Sequence, residues 1–220
     1  MNGALPDPDP RFVHRLEAFS DIVIAFSLAQ STLSLTIPHR ALDVLGKPLG
    51  FIAFGATFTI ICILWLRHHH WFSEYFVPSR LNVSLNFALL GAIVGLVYSV
   101  QLLVHFMKPG TDWTVAFLIY LSNLSLVMLL FGAVYLIGVT SRPRALTADL
   151  LIGGYAQSFR FFGAGIAILI GFLFLNAGSP GEIAAGLAFV VTCFALLGRR
   201  IGQGVGRHVA RLSAFPGNVN

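Results

Sequence analysis

Long apolar runs separated by short polar, proline- or glycine-bearing breaks set the pattern of this chain. An apolar helix needs about 20 residues to cross the hydrocarbon of a bilayer, and six segments approach that length. The first covers 16–37 and is stopped by Pro38. The second covers about 48–65, with helix continuing toward Phe72. The third covers about 82–106 and ends before Pro109-Gly110. The fourth covers about 113–139 and ends before Ser141-Arg142-Pro143. The fifth covers about 158–176, and the sixth runs from Ser179 to near Gly198. Ser179, Pro180 and Glu182 open that sixth run as an N-cap, a first helical residue and the closing half of a capping box. The breaks are too short for a soluble domain. The expected fold is therefore an all-α membrane protein of six transmembrane helices over residues 15–200, with tails at 1–14 and 201–220.

The first helix departs from the pattern. It opens on Arg15-Leu16-Glu17-Ala18-Phe19-Ser20-Asp21 and then carries Ser27, Gln30, Ser31, Thr32, Ser34 and Thr36. An aspartate near mid-span costs roughly 2.5–3.5 kcal/mol on the insertion scale, so a span this polar should face protein or water. At 100° per residue, Ser20, Ser27, Ser31 and Ser34 fall together. Such hydroxyls pack helices and bond their own backbone at i−4. A second stripe holds Val23, Phe26, Gln30, Leu33 and Ile37. It is either an ordinary packing seam, with the Gln30 amide bonded across to a neighbouring helix, or the wall of a symmetry axis, with Gln30 as a polar ring between Phe26 and Leu33.

Arg15 and Asp21 are six residues apart, about 9 Å in rise and roughly 120° around the helix. They do not pair with each other, and each needs partners from neighbouring helices. Trp65, Arg67, His68, His69, His70, Trp71, Asn82 and Asn86 form the polar cluster that could supply them. Three consecutive histidines cannot share one face of a helix, and no Cys or carboxylate stands at ligand spacing beside them. The cluster reads as a hydrogen-bond network rather than a metal site.

Composition sharpens the class. Of 220 residues 56% are hydrophobic and 10% charged, against about 25% charged in soluble domains. The net charge of +5 lies between the spans, where it suits topology and lipid headgroups rather than nucleic acid. With the N-terminus inside, eleven of the 14 Lys and Arg residues lie on that side and only Arg40, Lys47 and Lys108 on the other. The positive-inside rule then puts both termini in the cytoplasm. Cys62 and Cys193 fall within spans and read as buried small apolar residues rather than a disulfide. The proline-rich start has no basic n-region and no cleavage site. Gly91-x-x-x-Gly95 and Gly163-x-Gly165 would permit close helix approach.

The motif at the head of the first helix, Arg15-x-x-x-Phe19-Ser20-Asp21, resembles that of the transmembrane protein 175 family, potassium channels of endolysosomes and prokaryotes without a P-loop filter. Trp65-x-x-His68-His69-x-x-Phe72 and Leu81-Asn82 to Asn86 extend the resemblance; the last three segments match in hydropathy and length. The resemblance implies a homotetramer of six-helix subunits around a central pore lined by the first helix. It implies that Arg15, Ser20 and Asp21 tie that helix to the next two, with Trp65, His68, His69 and Asn86 among the partners. It also implies a constriction of bulky apolar side chains on the first helix, at the positions of Phe26, Gln30 and Leu33 here, with Val23 and Ile37 lining the pore on the same stripe. Phe26 stands where Ile or Leu is usual, Gln30 where an apolar residue is usual, and Ala29 where threonine is common.

The expected function is a passive cation channel, with potassium the permeant ion, in a prokaryotic plasma membrane and with no cofactor. A proton-linked or other secondary transporter is the alternative, supported by His68, His69, His70 and Asp21; against it stands the lack of a detectable inverted repeat. A non-conducting membrane scaffold is a third class. An enzyme is not expected, since no Ser/His, Cys/His or metal constellation converges at one depth.

Overall fold

The computed structural model describes residues 10–33, 49–106, 110–171 and 180–214. Among the described residues it is all-helical, with six helices in chain order: α1 (Pro10–Leu33), α2 (Leu49–Tyr75), α3 (Arg80–His105), α4 (Thr111–Ser141), α5 (Ala148–Gly171) and α6 (Pro180–Ala214). Three carry stretches long and apolar enough to cross a membrane by length and composition: Arg80–His105, Thr111–Ser141 and Gly186–Ser213. The helices overrun the expected spans. α1 begins before Leu16, α2 continues to Tyr75, α5 begins ten residues before Ser158, and α6 passes Gly198 to reach Ala214. Hydropathy marks only the part of a helix suited to hydrocarbon, whereas helix length is set by caps and packing.

The caps are visible. Ser79 starts α3, its Oγ accepting from the Asn82 amide at 3.2 Å. Thr147 starts α5, its Oγ1 accepting from the Leu150 amide at 3.3 Å, with Asp149 in the first turn where the helix dipole favours an anion. At the end of α2 the Arg142 guanidinium donates to the carbonyls of Glu74 and Phe76 at 3.4 and 3.3 Å, a cation placed on carbonyls that have no intrahelical partner.

The chain divides into two compact units. One comprises Pro6–His70 and Leu90–Asn123; the other comprises Trp71–Leu89 with the chain from Leu124 onward. In the second unit the core is aromatic and glycine-notched. Trp71 Nε1 donates to the Val134 carbonyl at 3.0 Å and the Tyr75 hydroxyl to the Leu150 carbonyl at 3.0 Å. Tyr75 fits because Gly154 leaves its ring, and Gly138 its Cβ and carbonyl, the space a side chain would fill. Two serines bridge helices: Ser125 Oγ donates to the Gly165 carbonyl at 2.9 Å and Ser158 Oγ to the Gly132 carbonyl at 2.8 Å. Both hydroxyls are buried, so each bond replaces one to water that burial removed.

α5 and α6 pack antiparallel at unusually short range. A Cβ on Gly198 would strike the Phe159 carbonyl, one on Gly202 the Tyr155 carbonyl, and one on Gly206 the Cα of Ile152 at 2.7 Å; Gly163 of α5 meets the Phe194 carbonyl in the same way. A glycine every fourth residue removes the side chains that would hold two backbones apart. The small-residue pairs expected from the sequence divide. Gly165 packs on Leu129 and Gly95 on Asn123, but Gly91 has nothing within 4 Å. Both cysteines are free. Cys62 is half-buried, whereas Cys193 is exposed rather than buried as expected, because it sits on the side of α6 away from the glycine face.

Candidate functional site

The site is α1 and what holds it, all within the first unit. Leu16, Ser20, Ile24 and Ser27 recur at spacings of four, four and three, and all are buried. Their side lies against the unit, and the two hydroxyls there bond their own helix: Ser20 Oγ to the Leu16 carbonyl at 2.8 Å and Ser27 Oγ to the Val23 carbonyl at 2.9 Å. Back-bonding of this kind gives a buried hydroxyl an acceptor for its proton within its own helix.

About 110° around the helix from that side, Phe19, Ile22 and Phe26 are exposed, Phe26 at 71% of its surface, and Gln30 continues their line, also exposed, with Val23 half-buried beside it. About three turns of a helix thus present exposed large apolar groups and one amide along a single line. Isolated exposed apolar side chains need no explanation; a continuous stripe does. The side chain of Leu33 and the whole of Ile37, which complete the expected wall, lie outside the described residues.

A third side of α1 is fastened to α2. Trp65 Nε1 donates to Asp21 Oδ1 at 2.9 Å. One turn earlier on α1, Glu17 Oε1 lies 3.3 Å from His69 Nδ1. Trp65 and His69 are themselves stacked, centroids 5.9 Å apart and planes at 21°. The geometry follows from i,i+4 spacing on both antiparallel helices: two carboxylates one turn apart meet two rings one turn apart. A hydrogen bond to an ionised carboxylate contributes about 1.5 kcal/mol at the weaker end of its range. The Glu17–His69 contact is worth less, roughly 0–1 kcal/mol, since the two side chains are 27% and 52% exposed. Further along α1, Gln101 of α3 donates through Nε2 to the Gln30 backbone carbonyl at 3.3 Å.

The structure therefore brings together some residues of the expected network and not others. Asp21, Trp65 and His69 meet. Glu17 and Gln101 join them, and neither was expected; the signal for Glu17 was its i,i+4 relation to Asp21, matching that of Trp65 and His69. Arg15 and Phe19 are exposed on α1. His68 is fully buried, while His69 and His70 are exposed, so the three histidines diverge as successive helical residues must. Asn86 is buried, in the other unit with Asn82. Among the described residues no group of three His, Cys, Asp or Glu is placed to hold a metal ion.

Comparison with known proteins bears on the same helices. The model of the family described as the endosomal/lysosomal potassium channel TMEM175 matches residues 15–96, which take in nearly all of α1, all of α2 and most of α3. A protein from Marivirga tractuosa named "Potassium channel" is 30% identical over 94 residues, 43% of this chain and 38% of the relative; the aligned part thus spans well under half of that protein's length. Two solved structures share the fold over nearly the whole chain. One, a variant of the potassium channel MtTMEM175 in complex with a nanobody–MBP fusion, has a TM-score of 0.66 at 20% identity, covering 85% of this chain and 92% of that one. The other, a lysosomal potassium-selective channel TMEM175 homolog from Chamaesiphon minutus, has a TM-score of 0.60 at 18% identity, covering 93% of this chain and 97% of that one. The resemblance to the TMEM175 family read from the motif thus holds in sequence over the first three helices and in fold over the chain.

Proposed function

We propose that this chain is a passive potassium channel of a prokaryotic plasma membrane, assembled as a homotetramer with α1 from each subunit around the conduction path. The observation that carries the reading is the bare stripe of α1. Phe19, Ile22, Phe26 and Gln30 lie about 110° around α1 from its buried serine face, the arrangement of a helix packed on its own subunit by one side and facing an axis with another. Similarity to proteins named potassium channels supports the ion. The excess of arginine on one side supports cytoplasmic termini.

In this reading, six helices per subunit span the bilayer, and the Asp21–Trp65 and Glu17–His69 contacts hold α1 at a fixed rotation, which sets the diameter where Phe26 rings approach the axis. A constriction of apolar rings excludes water when narrow and passes a partly dehydrated ion when wider. Gln30, one turn beyond, offers amide oxygens in place of lost hydration. Arg15, Ser20 and His68 complete the support around the base of α1, and Val23 continues the wall.

The test is flux of purified protein in liposomes carrying a potassium gradient. Conduction in the wild type, with Phe26→Ala and Gln30→Ala each changing rate or potassium-over-sodium preference, supports the assignment. Unchanged flux in both variants removes α1 from the path. Saturable flux tied to a proton gradient would instead make the chain a transporter.

A further inference from the structure

The last turns of α6 carry a feature that conduction does not use. Beyond Glu182 the sequence holds no Asp or Glu, yet it holds Arg199, Arg200, Arg207, His208 and Arg211. All five are exposed. At 100° per residue, Arg200, Arg207 and Arg211 lie roughly 140–180° from Gly202. Gly202 is pressed on the α5 backbone with Gly198 and Gly206, so these arginines point away from α5. The stripe extends about 16 Å along the axis. Leu197, Ile201 and Leu212 run beside it and are also exposed, at 56%, 48% and 63%. By the register that sets Gly206 on Ile152, Asp149 of α5, itself exposed, is a carboxylate at the same end of the pair, and it leaves that end strongly positive.

Exposed leucine and isoleucine alongside arginine suit a face that lies at an apolar–polar boundary. The same helix supplies one of the three stretches apolar enough to cross a membrane. Arginine combines a long apolar stem with a planar fork of donors, so it covers acyl chains while its head bonds phosphate oxygens. The glycine seam holds the stripe in one orientation, which a free tail could not do. We propose that the outer face of α6 between Leu197 and Leu212 binds the headgroups of anionic phospholipids, with Arg200, Arg207 and Arg211 as phosphate ligands and Leu197, Ile201 and Leu212 seated among the acyl chains. The proposal rests on membrane embedding and not on conduction.

The test is native mass spectrometry of the full chain purified in detergent and exposed to equal amounts of phosphatidylglycerol and phosphatidylcholine. The wild type is expected to retain the anionic lipid preferentially, and less so as salt rises. Each arginine near an anionic surface contributes about five-fold. Replacing all three (Arg200→Gln, Arg207→Gln, Arg211→Gln) should therefore lower the preference by well over ten-fold, while the Arg→Lys triple variant retains most of it. Excess inorganic phosphate should not displace the lipid, because the apolar half of the contact is missing. The proposal is overturned if the Gln triple variant keeps the wild-type preference. It is equally overturned if removing Arg80, Arg142 and Arg144 lowers the preference as much, since the charge would then act without a site, or if inorganic phosphate competes fully.

Discussion

Alanine at Gly202 and alanine at Gly204 should move stability in opposite directions, although the two sites are two residues apart on one helix. A Cβ at Gly202 would lie 2.7 Å from the Tyr155 carbonyl carbon and 2.8 Å from the Ala156 Cα, with the Tyr155 oxygen nearer still, whereas ordinary contact begins at 3.4 Å. These are backbone atoms and cannot rotate away, so α6 must move off α5 by at least about 0.7 Å, a gap that forfeits a quarter to a half of each contact it opens. Overpacking of this kind costs up to about 3 kcal/mol, and the better helix propensity of alanine returns about 1 kcal/mol. The net loss is about 2 kcal/mol. At Gly204 nothing lies within 4 Å, so only the propensity gain of about 1 kcal/mol remains. The two variants should differ by about 3 kcal/mol, or roughly 6–12 °C in melting temperature for a chain of this size. Thermal denaturation in detergent, followed by tryptophan fluorescence and by the monodisperse fraction after heating, measures the difference. Shifts of the same sign, or melting temperatures within about 2 °C of each other, would refute the tight α5–α6 seam.

Other outcomes follow from single contacts. Phe26→Ala should raise the rate of cation flux into liposomes if its rings set the constriction, with little change in stability because the side chain is exposed. Asp21→Ala and Trp65→Phe should each lower stability by about 1.5 kcal/mol, and the double variant by little more than either, giving a coupling near the same value in a thermal double-mutant cycle. The Glu17→Gln and His69→Gln pair should couple by less than about 1 kcal/mol and lose that coupling in high salt. Ser158→Ala should cost about 1 kcal/mol by removing a buried hydrogen bond between two helices, whereas Ser122→Ala, whose hydroxyl is exposed and bonds its own helix, should stay within about 0.5 kcal/mol.

Much of the site was legible from the chain. Residues two stripes apart on a wheel are fixed by helical geometry alone, so the division of α1 into a serine side and a Phe26–Gln30 side needed only the knowledge that it is a helix. The back-bonding of Ser20 and Ser27 followed in the same way. The partners of Asp21 did not follow, because which ring on α2 reaches it depends on the axial offset between two antiparallel helices. A shift of one turn would have placed His69 there instead of Trp65, and the composition of either helix would be the same. Glu17 was overlooked for that reason: its role exists only once His69 is one turn from Trp65 on the facing helix.

The seam between α5 and α6 makes the same separation plainer. Glycines at 198, 202 and 206 are visible in the sequence, as is Gly204 between them, and nothing local distinguishes Gly204 from its neighbours. Periodicity, hydropathy and charge determined an all-helical chain, the approximate positions of its apolar runs, and the faces of α1, because those depend on residues within a few turns of one another. Which glycine is indispensable, which ring holds Asp21, and which arginines are left facing outward were decided only by tertiary structure. Each depends on the distance of closest approach between segments far apart in sequence, and only the packed chain sets that distance.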